Sequence, residues 1–293
     1  MFLFSGTSHK TLAQKIAQEY GFTFGKCEIK KFSCNETYVK LEDDVRGQDC
    51  TIFQTIAKNV NDEFMEVFLL ADALCRHDAA SVSLIMPHMG YARQDRRAVI
   101  GEPISGKLIA RLIVASGIRH VTTFDLHSDQ MEGFFDVPVD NLHSYPLFAD
   151  YFAKRVGKDM VVVAPDAGAA KMVRRLATLL EAPIAILNKV RHAHHHSEHT
   201  HLVGDVKGKT AIIFDDMIDT AGTICGACDT LFREGAKEVY SAATHGIFSG
   251  PAVERLNACL AKEIVVTDTV PMDEHVLPKV KVLSVVSLLG KVL

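Results

Sequence analysis

No stretch of this chain approaches the ~18 consecutive apolar residues that a membrane span needs, and the N-terminal "MFLFSGTSHK" turns polar too soon for a secretory signal. These absences lead to the expectation of a soluble, cytoplasmic protein with no membrane partner. Positive charge is not in excess either: 32 Lys and Arg against 36 Asp and Glu leave a formal net charge of −4. A chain without a basic field lacks the electrostatic footprint of a nucleic-acid binder, so the expected partners are small molecules. Cysteine is neither dense nor even in number. The seven, at 27, 34, 50, 75, 225, 228 and 259, lie in apolar segments without the spacing of a disulfide scaffold, as expected for a reducing compartment. The close pair Cys225 and Cys228, in the helical stretch "TICGACDTLF", reads as small-residue packing rather than redox chemistry. Low complexity is confined to one tract, where six histidines occupy the ten positions from His192 to His201.

What the chain does have is a regular alternation. With 293 residues, 48% of them hydrophobic and 23% charged, it is comfortable for two domains. Short apolar runs of strand length alternate with helical patterns, which predicts an α/β fold of mainly parallel sheets covered by helices. "FLFSGT" leads into "HKTLAQKIAQEYG", where Leu12, Ile16 and Tyr20 share a face and Gly21 is a stop. "NDEFMEVFLLADALCRHDA" is a strongly amphipathic helix before the strand "SVSLIMPH". The same grammar restarts after "DVPVDNLHSYP", so the expected domains are 1–144, joined by the tail 285–293, and 145–284.

The most informative run is "TAIIFDDMIDTAGT", Thr210 to Thr223. An apolar strand ends in paired acids, Asp215 and Asp216, and the turn "DTAGT" opens a helix. In a parallel sheet the carboxyl ends of strands face the ligand crevice. Residues 219–223 then present backbone N–H groups and the hydroxyls of Thr220 and Thr223 at a helix N-terminus, which is a phosphate cradle. Gly222 permits close backbone approach, and the carboxylates suit sugar hydroxyls or a bridging magnesium ion. Paired acids or a Thr-rich turn alone would describe only a capped helix start; the full pattern suits a phosphorylated sugar.

This segment resembles the PRPP-binding signature of the type I phosphoribosyltransferase fold, and its Asp-Asp-Met-Ile-Asp-Thr form is similar to that of the ribose-phosphate pyrophosphokinase family. "GYARQDRR" (90–97), "EPIS" (102–105), "FDLHS" (124–128), "GFFDVPVDN" (133–141), "PDAG" (165–168), "GDVKGK" (204–209) and "THGIFSG" (244–250) follow that family's landmarks in order. The resemblance implies two tandem phosphoribosyltransferase-like domains and transfer of pyrophosphate from ATP to the anomeric hydroxyl of ribose 5-phosphate. It implies that Arg191, Asp215, Asp216, Asp219, Thr220, Ala221, Gly222 and Thr223 hold ribose 5-phosphate. ATP falls to Phe32, Cys34, Asn35, Glu36, Arg93, Gln94, Asp95, Arg96 and His127, and Mg2+ to His127 and Asp166. Lys189 and Arg191 match the catalytic pair. Cations and magnesium suit a transfer that needs in-line positioning and charge neutralisation more than covalent catalysis. Two other readings share parts of this pattern: a phosphoribosyltransferase that consumes PRPP, and a catalytically silent regulatory subunit.

The match breaks in three places. The adenine-contacting segment of the family reads Phe-x-Asp-Gly-Glu, whereas here "FSCNE" (32–36) carries Cys34 for the acid and Asn35 for the glycine. In the family this flap reaches a neighbouring subunit's nucleotide site, which implies self-association with the active site at a subunit interface. "AVIGEPIS" lacks the basic residue that phosphate-regulated members place before Pro-Ile, so phosphate activation and ADP inhibition do not carry over. The histidine tract begins directly after Arg191, in what the family uses as a mobile loop. That placement implies a lid whose imidazoles bring pH-dependent positive charge near the triphosphate, rather than a metal centre, which needs fixed geometry. Because a carboxylate accepting from the adenine amino group also rejects nucleotides without it, wild type is expected to use a second nucleoside triphosphate measurably. Cys34→Asp should sharpen the preference for ATP; strict ATP use by both proteins would contradict this account.

Overall fold

The computed structural model describes residues 1–190, 199–273 and 277–293, with Lys189, Val190, His199 and Thr200 as backbone only. The chain divides into two compact units. The first takes Met1–His143 with Thr269–Pro271 and Val286–Leu293; the second takes Ser144–Asp268 with Met272–Val285.

The first unit runs β1 (Phe2–Ser5), α1 (Lys10–Tyr20), β2 (Thr23–Phe24), β3 (Cys27–Lys31), β4 (Thr37–Leu41), β5 (Asp49–Phe53), α2 (Val60–Arg76), β6 (Ser81–Ile85), α3 (Ser105–Ala115), β7 (His120–Phe124) and β8 (Val139–Leu142). Helix α1 buries Leu12, Ala13, Ile16 and Ala17, and ends where Gly21 adopts the left-handed conformation at φ 71°. Its sheet has the order β2-β1-β5-β6-β7-β8, with every neighbouring pair parallel. The chain starts at β1, steps to β2, then returns to the other side of β1, so the winding reverses between β1 and β5. The core gathers Phe4, Ile52, Val67, Leu70, Leu84, Ile109 and Ile113 from strands, α2 and α3. A feature the α/β alternation passes over is the antiparallel hairpin β3–β4. Its residues are only partly buried and show no strict period of two, which explains why the pattern was not visible. The C-terminal segment closes on α1, where the Tyr20 hydroxyl donates to the Val286 carbonyl at 2.6 Å.

The second unit repeats the scheme: α4 (Tyr145–Arg155), β9 (Met160–Ala164), α5 (Ala170–Leu180), β10 (Ile184–Val190), β11 (His199–Val203), β12 (Thr210–Ile218), α6 (Gly222–Arg233), β13 (Glu238–Gly246), α7 (Ala252–Ala258), β14 (Glu263–Thr267) and β15 (Val280–Leu283). The order is β11-β10-β9-β12-β13-β14-β15, parallel except for β11 against β10. Here the reversal falls between β9 and β12. Reversal puts helices on opposite faces. On one face Phe148 and Phe152 of α4 and Val173 and Leu176 of α5 pack on Val162, Ile212 and Phe214. On the other, Ile224, Cys228 and Leu231 of α6 and Leu256 of α7 pack on Val161, Val163 and Ile213. Strands enclosed on both faces explain the unbroken apolar runs "MVVVA" and "AIIF". No helix among the described residues is long and apolar enough to cross a membrane.

Candidate active site

Strand β12 is buried through Phe214 and then turns polar at Asp215 and Asp216, and Asp219 follows its last residue. The Asp215 carboxylate accepts the Asp216 N–H at 2.9 Å. Burial pushes the Asp215 carboxyl well above the ordinary carboxylate range, and the neighbouring Asp216 and Asp166 charges push it further. Such a concentration of like charge is a functional signature. Beyond it Ala221 takes the left-handed conformation, φ 61° and ψ 2°, and α6 begins at Gly222. The first N–H groups of a helix have no partner within it, so residues 221–223 form an anion nest beside the exposed Thr220. The side of Gly222 on which a Cβ would stand faces Arg255, whose Nη1 would lie 3.3 Å from that atom. The glycine therefore makes room for a guanidinium, a reason that the strand-turn-helix pattern did not disclose.

Asp166 stands on the neighbouring edge. Val163 of β9 pairs with Ile213 of β12, so Asp166 and Asp215 each emerge a few residues beyond the same rung. The exposed Asp166 carboxylate also accepts the Ala169 N–H at 3.1 Å at the entry to α5. Ile186 of β10 pairs with Ala164 of β9, which brings the backbone of Lys189 past the same edge. The structure thus gathers Asp166, Asp215, Asp216, residues 219–223 and the Lys189 backbone at the carboxyl end of β10, β9 and β12, where open α/β sheets bind ligands. Arg191 lies outside the described residues, as do His192, His194, His195 and His196. The end of the histidine tract is strand rather than loop: in β11, His199 pairs with Val190 and His201, exposed, with Asn188. Cys225 and Cys228 lie in α6, with Cys228 buried in the core. Hydrogen bonding to Cys259, then burial, raises both their thiols above the ordinary range, while the same two hydrogen bonds lower that of Cys259.

In the first unit, the loop after β6 carries Arg93, Gln94, Asp95 and Arg96, and the loop after β7 carries His127. Gln94 is fixed on α3: its side chain accepts from the Ser105 hydroxyl at 2.6 Å and its carbonyl from the Gly106 N–H at 3.0 Å. Gly106 lets the two loops meet, since a Cβ there would stand 3.1 Å from Met131 and 3.4 Å from the Gln94 carbonyl. Leading to the exposed His127, buried Asp125 bonds to the His143 ring at 2.9 Å and Leu126 N–H to Asn141 at 3.1 Å. Phe32, Cys34, Asn35 and Glu36 form the exposed tip of the β3–β4 hairpin. Asn35 sits at φ 69°, a left-handed position that asparagine tolerates nearly as glycine does, so the tip keeps its turn without glycine.

The first unit's counterpart of the cradle is filled by its own side chains. After β5, the strand corresponding to β12, the Glu63 carboxylate accepts from the N–H groups of Ala57 at 2.7 Å and Asn59 at 3.0 Å. Glu66 takes the Thr7 N–H and hydroxyl at 2.8 and 2.7 Å and the Gln54 amide at 2.7 Å. Both glutamates are buried.

A doubly wound sheet with a strand-to-helix anion nest at its reversal point defines the type I phosphoribosyltransferase class of fold, present here twice. Residues 1–117 match the model of the N-terminal domain of ribose phosphate pyrophosphokinase, and residues 190–293 that of the phosphoribosyl synthetase-associated domain. The ribose-phosphate pyrophosphokinase of Fusobacterium nucleatum is 46% identical over 97% of this chain and 90% of its own length. Ribose-phosphate pyrophosphokinase 1 of Streptococcus pneumoniae is 45% identical over 98% and 91%. The crystal structure of phosphoribosylpyrophosphate synthetase from Mycobacterium smegmatis superposes with a TM-score of 0.92 at 40% identity, covering 99% of this chain and 96% of that one. The chain belongs to the ribose-phosphate pyrophosphokinase family.

The carboxylate cluster generates a stability prediction. A folded-state carboxyl raised above its unfolded value destabilises the fold at pH values above the raised value, and the penalty is relieved as pH falls through it. Asp215→Asn should therefore raise Tm at neutral pH, measured by calorimetry with chelator present, by on the order of 2–4 °C per kcal/mol of relieved burial and repulsion penalty. The two proteins should converge at acid pH, below the value of an unfolded-state aspartate; an unchanged or lower Tm at neutral pH would remove the charge penalty from the account of this site.

Proposed function

We propose that this chain transfers the pyrophosphoryl group of ATP to the anomeric hydroxyl of ribose 5-phosphate, giving PRPP and AMP. The observation that carries the reading is the open anion nest at residues 221–223 beside Asp215, Asp216 and Asp219. The nest suits the 5-phosphate and the carboxylates suit the ribose hydroxyls, which together present the anomeric oxygen to the transferring group. Arg93, Gln94, Asp95, Arg96 and His127, with Phe32, Cys34, Asn35 and Glu36, are the proposed ATP contacts. Arginine's planar fork matches phosphate and base edges. His127 and Asp166 are the proposed magnesium-linked residues. Of the two, the Asp166 carboxylate, exposed at the sheet edge, fits such an ion, since Mg2+ is usually held by one or two carboxylates with waters and substrate phosphates rather than by a closed protein cage; an imidazole is a poor ligand for it, which leaves His127 a role toward the nucleotide phosphates. Bound there, the ion would neutralise charge on phosphate oxygens.

Lys189 and Arg191 are the proposed cations over the transferring group. Their charge would act on oxygens that become more negative as the bond to the leaving AMP lengthens, so their effect belongs in the transition state. The test is AMP formation from ATP with and without ribose 5-phosphate. Dependence on the sugar phosphate supports synthesis of PRPP; PRPP consumption with a free base would indicate the transferase reading, and no turnover a silent subunit. In the active protein Lys189→Ala should lower kcat by on the order of 10²-fold or more with little change in KM. A variant retaining wild-type kcat would remove Lys189 from the mechanism.

The proposed cytoplasmic location rests on the absence of a disulfide pattern, and self-association on an exposed apolar stripe. Ile104, at the N-cap of α3, and Leu108 and Leu112, at four-residue intervals along it, are 39%, 53% and 42% exposed, with Val99 and Ile100 exposed in the preceding loop. A contiguous patch of this kind suits a second copy of the chain. Sedimentation should give a wild-type mass that is a multiple of 32.2 kDa, and Leu108→Glu should reduce it; a monomeric wild type would overturn the proposal.

A further inference from the structure

The nest depends on an alanine in the left-handed conformation, which costs a non-glycine residue about 1–2 kcal/mol, so something must hold the loop in it. The segment after β13 supplies the restraint. Ser249 donates its N–H to the Asp219 carbonyl at 3.1 Å and its hydroxyl to the Asp219 carboxylate. The Ile247 and Phe248 N–H groups both donate to the Ile218 carbonyl, at 3.0 and 3.1 Å. Arg255 of α7 reaches across to donate from Nη1 to the Thr220 carbonyl at 3.0 Å. The backbone of Arg255 is tied as well, since its carbonyl accepts from the Cys225 thiol of α6 at 3.6 Å.

We infer that Arg255 is a positioning and charge-supplying residue of the ribose-phosphate cradle, acting through the Thr220 carbonyl. This rests on the reading of residues 219–223 as the sugar-phosphate site. Two effects follow from one side chain. A charge-assisted bond to the Thr220 carbonyl fixes the peptide between Thr220 and Ala221, and with it the turn that aims the next N–H groups outward. The guanidinium also lies on the side of Gly222 where a Cβ would stand, at the first turn of α6, where positive charge adds to the field of the helix N-terminus and favours a bound dianion. Ser249 restrains the same loop one residue earlier, through Asp219, and lacks the second effect because it carries no charge.

Arg255 touches the loop rather than the reacting atoms. Its loss should therefore appear in ribose 5-phosphate affinity and leave ATP handling intact. Arg255→Gln should raise the KM for ribose 5-phosphate by on the order of tenfold, as expected for loss of one charge-assisted bond, with the KM for ATP within about twofold. Arg255→Lys should recover part of that loss and Ser249→Ala should show a smaller one. The salt dependence of ribose 5-phosphate affinity should flatten in Arg255→Gln but not in Ser249→Ala. Calorimetric titration of ribose 5-phosphate into the folded proteins without nucleotide reads the same quantity even if a variant loses turnover. Equal affinity in wild type and Arg255→Gln, or equal losses for both substrates, would overturn the inference. A wild type that binds no ribose 5-phosphate would instead overturn the reading of the cradle on which it rests.

Discussion

Because β12 is enclosed by helices on both faces, its carboxylates can meet water only at the carboxyl edge. Asp215 and Asp216 are therefore placed where they repel each other and Asp166, and the charge on Asp215 is disfavoured. The rest of the second unit's edge follows from this constraint. Positive partners are needed there, and they come from two directions: the helix dipole and first N–H groups of α6, and the guanidinium of Arg255 on the Thr220 carbonyl. A cluster of this kind trades stability of the free protein against a local concentration of charge.

How much of this could be read from the sequence depended on whether the signal was local. The motif from Thr210 to Thr223 is contiguous, and an apolar run ending in acids and a Thr-Ala-Gly-Thr turn specifies its own structure: a doubly buried strand, a tight turn and a helix start. Gly21 was legible as a stop for the same reason. Arg255 and Ser249 were not, because they lie about 30 residues beyond the loop they hold and reach it only once β13 has paired beside β12. A Ser-Gly-Pro turn followed by a short helix looks like a solvated connection until that pairing exists. The β3–β4 hairpin escaped because its half-exposed strands lack alternation. The end of the histidine tract escaped because composition says nothing of a ladder to Asn188 and Val190. Asn35 is an instructive intermediate: the departure from glycine was visible, but its tolerance rests on a backbone angle that only the folded hairpin supplies.

The two units follow one winding plan, yet they differ in what occupies the nest after the strand at the reversal point. In the second unit the residues there are small or hydroxylated and the nest faces outward. In the first, Glu63 of α2 folds back onto the N–H groups of Ala57 and Asn59. A tethered carboxylate acts at an effective concentration of millimolar or more, so it behaves as a permanently bound anion against which free phosphate competes poorly. Duplication of the fold thus does not by itself duplicate an open anion site: one half carries its own pseudo-ligand on the N–H groups of Ala57 and Asn59.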